Sequence, residues 1–139
     1  MASQQENLTR LREAYRRWHR SKGTDVECWL DLMGAQVVYR AAPEGKIGLG
    51  FAAHSGAKEE IAALIASQSA DWEMIFVKID EYVAQTNRVV AIGSCAWRNR
   101  KTGKAAETPI AHFWRFKDGK VVEFMQFFDT AAVMDAART

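Results

Sequence analysis

The residues whose types and spacing best suit chemistry are His112, Gln126 and Asp129 near the end of the chain and Tyr15 near its start. His112 lies in the run TPIAHFWRF, and a histidine on an apolar strand face titrates near neutrality and serves as acid, base or hydrogen-bond donor. The same placement also suits a core histidine whose ring nitrogens are satisfied by neighbours. Gln126, in GKVVEFMQFFDT, carries an amide that must find a partner or a ligand if it faces inward. Asp129 directly precedes Thr130, where it either caps a terminal helix or, on the other strand parity, joins His112 as a carboxylate in an acid–base pair. Tyr15 and Trp18 fall on the apolar stripe of a first helix and bring a phenol and an indole towards the same place. Tyr39 offers a second hydroxyl. Trp114, Phe124 and Phe128 supply an apolar wall, or core packing.

Which of these share a face depends on one turn. Thr108 to Phe116 and Lys120 to Phe128 read as two long strands joined at Lys117-Asp118-Gly119-Lys120. A two-residue Asp118-Gly119 turn puts Glu123 and Asp129 on the face of His112 and Trp114. A three-residue turn with Gly119 as the left-handed bulge residue instead gathers His112, Trp114, Phe116, Val122, Phe124, Gln126 and Phe128, and leaves Arg115, Glu123 and Asp129 outside. The second register collects the apolar side chains, and it is the one expected here. It makes a greasy surface broken by two polar groups, His112 and Gln126, as a small-molecule pocket requires.

The elements that must hold this surface follow from periodicity. Leu8, Leu11, Tyr15 and Trp18 mark a helix to about Lys22, with Arg10, Arg12, Arg16, Arg17 and Arg20 on its solvated side. Gly23 ends it, and Thr24 with Glu27 forms a capping box for a second helix carrying Val26, Trp29, Leu30 and Met33. Gln36 to Arg40 is a short strand. Ala41 to His54, with Pro43, Gly45, Gly48 and Gly50, is a long flap-like loop with a brief extended piece at Ile47. Ser55-Gly56 opens a third helix with the stripe Ile61, Leu64 and Ile65. Trp72 to Ala84, Arg88 to Arg98, Ala105 to Phe116 and Lys120 to Phe128 form an antiparallel meander, and Thr130 to Ala137 a last short helix. Helices first and a meander after define an α+β domain spanning 1–139, the helices covering one sheet face. The hairpin at Asn99 to Lys104 leaves open whether Trp97 or Arg98 points inward.

Bulk composition excludes several functions. The chain has 139 residues, 48% hydrophobic and 26% charged, with a net charge of +2 that gives no case for nucleic acid. Cys28 and Cys95 match no metal or redox spacing, so buried reduced thiols in a cytoplasmic protein are expected. No membrane span and no signal peptide are visible in the sequence. His19, His54 and His112 have no metal-site spacing, Gly93-Ser94-Cys95 lacks the second glycine of a nucleophile elbow, and no phosphate-binding loop appears. Neither metal nor cofactor is expected.

The order of LREAYRRW (Leu11 to Trp18), SGAKEEIAALI (Ser55 to Ile65), HFWRF, GKVVEFMQFFDT and TAAVMDA resembles the nuclear transport factor 2-like superfamily, in its SnoaL-like polyketide cyclase and ketosteroid-isomerase-like branch. The resemblance implies a cone-shaped fold, a strongly bent sheet wrapping helices around a deep apolar pocket, and a homodimer formed through the outer sheet face. That agrees with Phe113, Met125 and Phe127 alternating with Arg115 and Glu123. It also implies that His112 stands where the isomerases hold a protonated aspartic acid, and Tyr15 where they hold a tyrosine. Their base carboxylate falls near Ala41, which has no titratable group; this argues against steroid isomerisation by the usual route. Three functions follow: a cofactor-free isomerase, cyclase or dehydratase acting on a small hydrophobic carbonyl compound, a non-catalytic binder of an apolar metabolite, or a dimeric scaffold with a vestigial pocket.

Overall fold

A computed structural model describes residues 3–41 and 54–139. The first helix, α1 (Gln4–Arg20), is capped by Ser3, whose side chain accepts from Glu6 N at 3.1 Å. Its apolar stripe buries Leu11, Ala14, Tyr15 and Trp18 together with the polar Asn7. Left-handed Lys22 and Gly23 stop the helix. The Thr24–Glu27 capping box does not form. Ser21 Oγ instead ties down the preceding turn, accepting from Thr24 N and Asp25 N at 3.2 and 3.0 Å. The second helix, α2 (Glu27–Leu30), starts at Val26 without a side-chain cap and is a single turn, and Met33 opens a strand instead of closing the helix.

Among the described residues six strands form one sheet in the order β2-β1-β6-β5-β4-β3. They are β1 (Met33–Ala41), β2 (His54–Ala57), β3 (Trp72–Gln85), β4 (Arg88–Asn99), β5 (Ala105–Lys117) and β6 (Lys120–Phe128). From β3 to β6 the sheet is the expected meander. β1 adds to β6 in parallel, and β2 pairs antiparallel with β1. The Ser55-Gly56 pair lies in β2, so α3 (Lys58–Asp71) starts later than its cap-like sequence suggests; pairing with Val37 and Val38 overrides the local preference. The flap expected between Ala41 and His54, with its extended piece, lies outside the described residues. α4 (Thr130–Ala137) closes the chain. No described helix is long and apolar enough to cross a membrane.

Two bulges in β3, at Ile75 and Asp80, bend the sheet around the helices. The second brings β3 so near β4 that a Cβ on Gly93 would lie 1.9 Å from the Lys78 carbonyl oxygen. Only glycine fits there.

The β5–β6 turn corrects the expected register in its mechanism. Asp118 and Gly119 both have positive φ (50° and 79°), and Lys117 pairs with Lys120, so the turn has two residues. The extra residue is Val122: Phe116 pairs with Val121, then Arg115 with Glu123. Val121 is therefore the buried valine, and Val122 is not. Beyond the bulge Trp114 pairs with Phe124, His112 with Gln126 and Ile110 with Phe128, which restores the expected apolar face.

Candidate functional site

Between the sheet, α1 and α3, bordered on β4 by Cys95 and Trp97, lies a cavity of about 110 Å³. That is space for several waters, or for a ligand on the scale of one aromatic ring. One end is rimmed by Trp72, Trp97, Phe128 and Val133, the last from α4. At the other stand Tyr15, Trp29, His112 and Trp114. Trp97 faces this space, whereas Arg98 lies outside, 3.9 Å from Glu73.

The polar groups form two clusters. Trp114 Nε1–H donates to Tyr15 Oη at 3.0 Å, and Tyr15 Oη lies 2.5 Å from His112 Nδ1. With its oxygen accepting from the indole, the phenol has one described acceptor for its own proton, Nδ1. The network thus assigns the remaining proton of His112 to Nε2. Nε2 has no partner among the described residues, and the imidazole lines the cavity. The cluster is held rigidly: Trp29 stacks on Trp114 (5.3 Å between centroids, 18° between planes) and meets Tyr15 edge-on at 5.2 Å. Phe124 packs 4.2 Å from Trp114. In the second cluster Gln126 Nε2 donates to Tyr39 Oη at 3.0 Å, with Gln68 Nε2 at 3.5 Å from the same oxygen.

Burial keeps every titratable group in this space neutral. It lowers His112 to about 3, so the expected titration near neutrality does not occur. It raises the Tyr15 and Tyr39 phenols and lifts the Cys95 thiol to about 12. No Asp, Glu, Lys or Arg is among the described residues of the lining, and no described group of His, Cys, Asp and Glu is arranged to hold a metal ion.

Of the residues singled out in the sequence, Tyr15, Trp18, Tyr39, His112, Trp114, Phe124, Gln126 and Phe128 all border this cavity. Asp129 does not. Its Oδ1 accepts from Ala132 N at 3.1 Å as the N-cap of α4, and its own N–H donates to Thr108 Oγ1. Asp129 is thus a helix cap beyond the end of β6 and forms no acid–base pair with His112. Trp29 and Gln68 were not expected in the site. Trp29 was visible as one of the apolar residues of α2, but nothing local linked Gln68 to Tyr39, 29 residues away.

The chain belongs to the SnoaL-like domain family, whose model matches residues 11–124. The fold is nuclear transport factor 2-like. An NTF2-like protein of Burkholderia thailandensis E264 is 23% identical over the whole of both chains, with a TM-score of 0.81. TerC, co-crystallized with polyporic acid, is 22% identical (96% of this chain, 99% of that one, TM-score 0.80). An LEH-like epoxide hydrolase of M. tuberculosis is 14% identical (96% and 90%, TM-score 0.72). No curated protein matches the sequence.

Proposed function

We propose that the cavity binds a small, apolar, uncharged carbonyl compound and that His112 Nε2–H donates to its oxygen. The observation carrying this is the Trp114–Tyr15–His112 chain, which leaves His112 Nε2 without a partner among the described residues and facing a lining whose described residues carry no charge. A donor of this kind polarises a carbonyl and stabilises negative charge developing on its oxygen, which is what a cofactor-free isomerase, cyclase or dehydratase needs from its electrophilic partner. Structures of similar fold include an epoxide hydrolase and TerC with its bound polyporic acid, so chemistry on small organic molecules has precedent on this scaffold. His112 is a poor base at neutral pH, because burial resists its protonation. The absence of a carboxylate from the described lining supports the second reading, a binder without turnover.

The test is a ¹⁵N spectrum of His112 with 1-indanone and with indane, its oxygen-free counterpart. The expected result is a protonated Nε2 that shifts with the ketone and not with the hydrocarbon. A proton on Nδ1, or identical responses to the two compounds, would overturn the assignment. Turnover by a neutral donor is expected to show no inflection near pH 6.5.

The outer sheet face supports a homodimer. Phe113 and Phe127, each 42% exposed and paired edge-to-face at 5.5 Å, adjoin exposed Ile92 and Val83. Phe113→Lys should convert the dimer into a monomer in analytical ultracentrifugation; a monomeric parent protein would sink this. The arginine face of α1 is less suited to a partner, since Arg10 donates to Gly119 O and Arg17 pairs with Asp25 and Asp31. Free, buried Cys28 and Cys95 support a cytoplasmic setting.

A further inference from the structure

The second polar cluster has hydrogens left over, and counting them defines the ligand more closely. Tyr39 Oη accepts from Gln126 Nε2 and lies within reach of Gln68 Nε2. With the amides donating, neither the phenol's own O–H nor Gln126 Oε1 has a partner among the described residues. If the Gln126 amide is turned so that Oε1 takes the phenol's proton, both hydrogens of its NH₂ are left over instead, and Oε1 keeps a lone pair. In either arrangement this corner offers at least one donor and one acceptor. His112, by contrast, offers a donor alone.

The two sites are neighbours by construction. His112 and Gln126 are direct cross-strand partners of β5 and β6, and both border the cavity. Side chains so paired stand about 5 Å apart. A group that meets Gln126 and Tyr39 properly must both give and take a hydrogen bond, which is the pattern of a hydroxyl. A second carbonyl would leave the unused acceptor unmatched. A carboxylate would enter a lining whose described residues include no cation, at the cost of an unpaired buried charge.

We propose, resting on the His112–carbonyl reading above, that the cavity is selective for uncharged hydroxy-carbonyl compounds. The carbonyl oxygen accepts from His112 Nε2–H, and a hydroxyl on a nearby carbon donates to and accepts from the Tyr39–Gln126 pair. Tyr39 and Gln126 are then specificity-determining residues, and Gln68 is a positioning residue that holds the phenol.

The experiment compares four compounds of one skeleton by quenching of tryptophan fluorescence: indane, 1-indanone, 3-hydroxy-1-indanone and indane-1-carboxylate. The hydroxyketone should bind about tenfold more tightly than 1-indanone, the gain expected of one neutral hydrogen bond. Tyr39→Phe, which keeps the ring and its packing, and Gln126→Leu should each erase most of that advantage, read as the ratio of hydroxyketone to ketone affinity within the same variant. Equal affinity of hydroxyketone and ketone, or an advantage surviving both variants, overturns the proposal while leaving the His112 reading intact. Failure of that reading shows separately, as 1-indanone binding no better than indane. Preferential binding of the carboxylate overturns the requirement for an uncharged ligand.

Discussion

The two faces of the β5–β6 hairpin are built from alternate residues of the same strands, yet they handle polarity in opposite ways. Inside, His112, Trp114 and Gln126 are joined to Tyr15 and Tyr39 by hydrogen bonds between neutral groups. Outside, Arg115 and Glu123 form an ion pair at 3.0 Å with Arg40 at 3.9 Å, beside the exposed Phe113 and Phe127. The buried side forgoes charge because desolvating an ion there would cost several kcal/mol. The outer side keeps its charges because water screens them, and for the same reason gains little from them. The proposed function therefore rests on the side where protons are held in place by neutral partners.

Four substitutions, the first with a glycine control, probe this contrast from the largest expected effect to the smallest. Gly93→Ala removes the bend on which both faces depend and should cost about 3–5 kcal/mol or prevent folding, whereas Gly34→Ala, where a Cβ meets nothing nearer than 3.5 Å, should be mild. Urea denaturation distinguishes the two. The inner face should also leave a mark on acid stability. His112 is held near 3, so as pH falls through about 6.5 the unfolded chain takes up a proton that the folded protein refuses. The stabilising contribution is complete above pH 6.5 and declines below it, by on the order of 3 kcal/mol at pH 4. A Tm profile of His112→Gln should be correspondingly flatter over that window, although lower at pH 7. Tyr15→Phe strips the partner from Trp114 Nε1 and His112 Nδ1 and should cost about 2–3 kcal/mol in thermal or urea unfolding. Glu123→Gln on the outer face should cost under about 1 kcal/mol, and less in high salt. An outer effect equal to that of Tyr15→Phe would erase the distinction.

Much of the fold was legible in the sequence because strand and helix periods differ and the turn residues punctuate them. The four meander strands and α4 fall within a residue or two of where alternation and the pairs Thr86-Asn87 and Asp118-Gly119 place them. The register at β6 was legible only in outcome. Collecting apolar residues on one face demanded one extra residue somewhere, but nothing local distinguished a three-residue turn from a bulge at Val122. The single-turn α2, which starts without the side-chain cap its sequence suggested, was missed, as was the strand at Ser55-Gly56, decided by pairing with β1 outside the local window. In the site, parity sufficed to put His112 and Gln126 together. The bond from His112 to Tyr15 crosses 97 residues of sequence, and no spacing announces it. Nor does polarity alone reveal that burial would remove His112 from the neutral titration range.

The parallel seam between β1 and β6 has a kinetic consequence. Hairpins from β3 to β6 close short loops, whereas Tyr39 and Gln126 must meet across 87 residues. Loop-closure entropy makes that meeting slower and its free-energy return later than those of the local turns. On these entropic grounds the corner where the proposed hydroxyl lodges assembles after the local hairpins of β5 and β6, as does the Tyr15–His112 contact across 97 residues. A molecule bridging His112 and Tyr39 would clasp the seam from within and slow its opening, so that occupancy is read as a longer lifetime of the folded state.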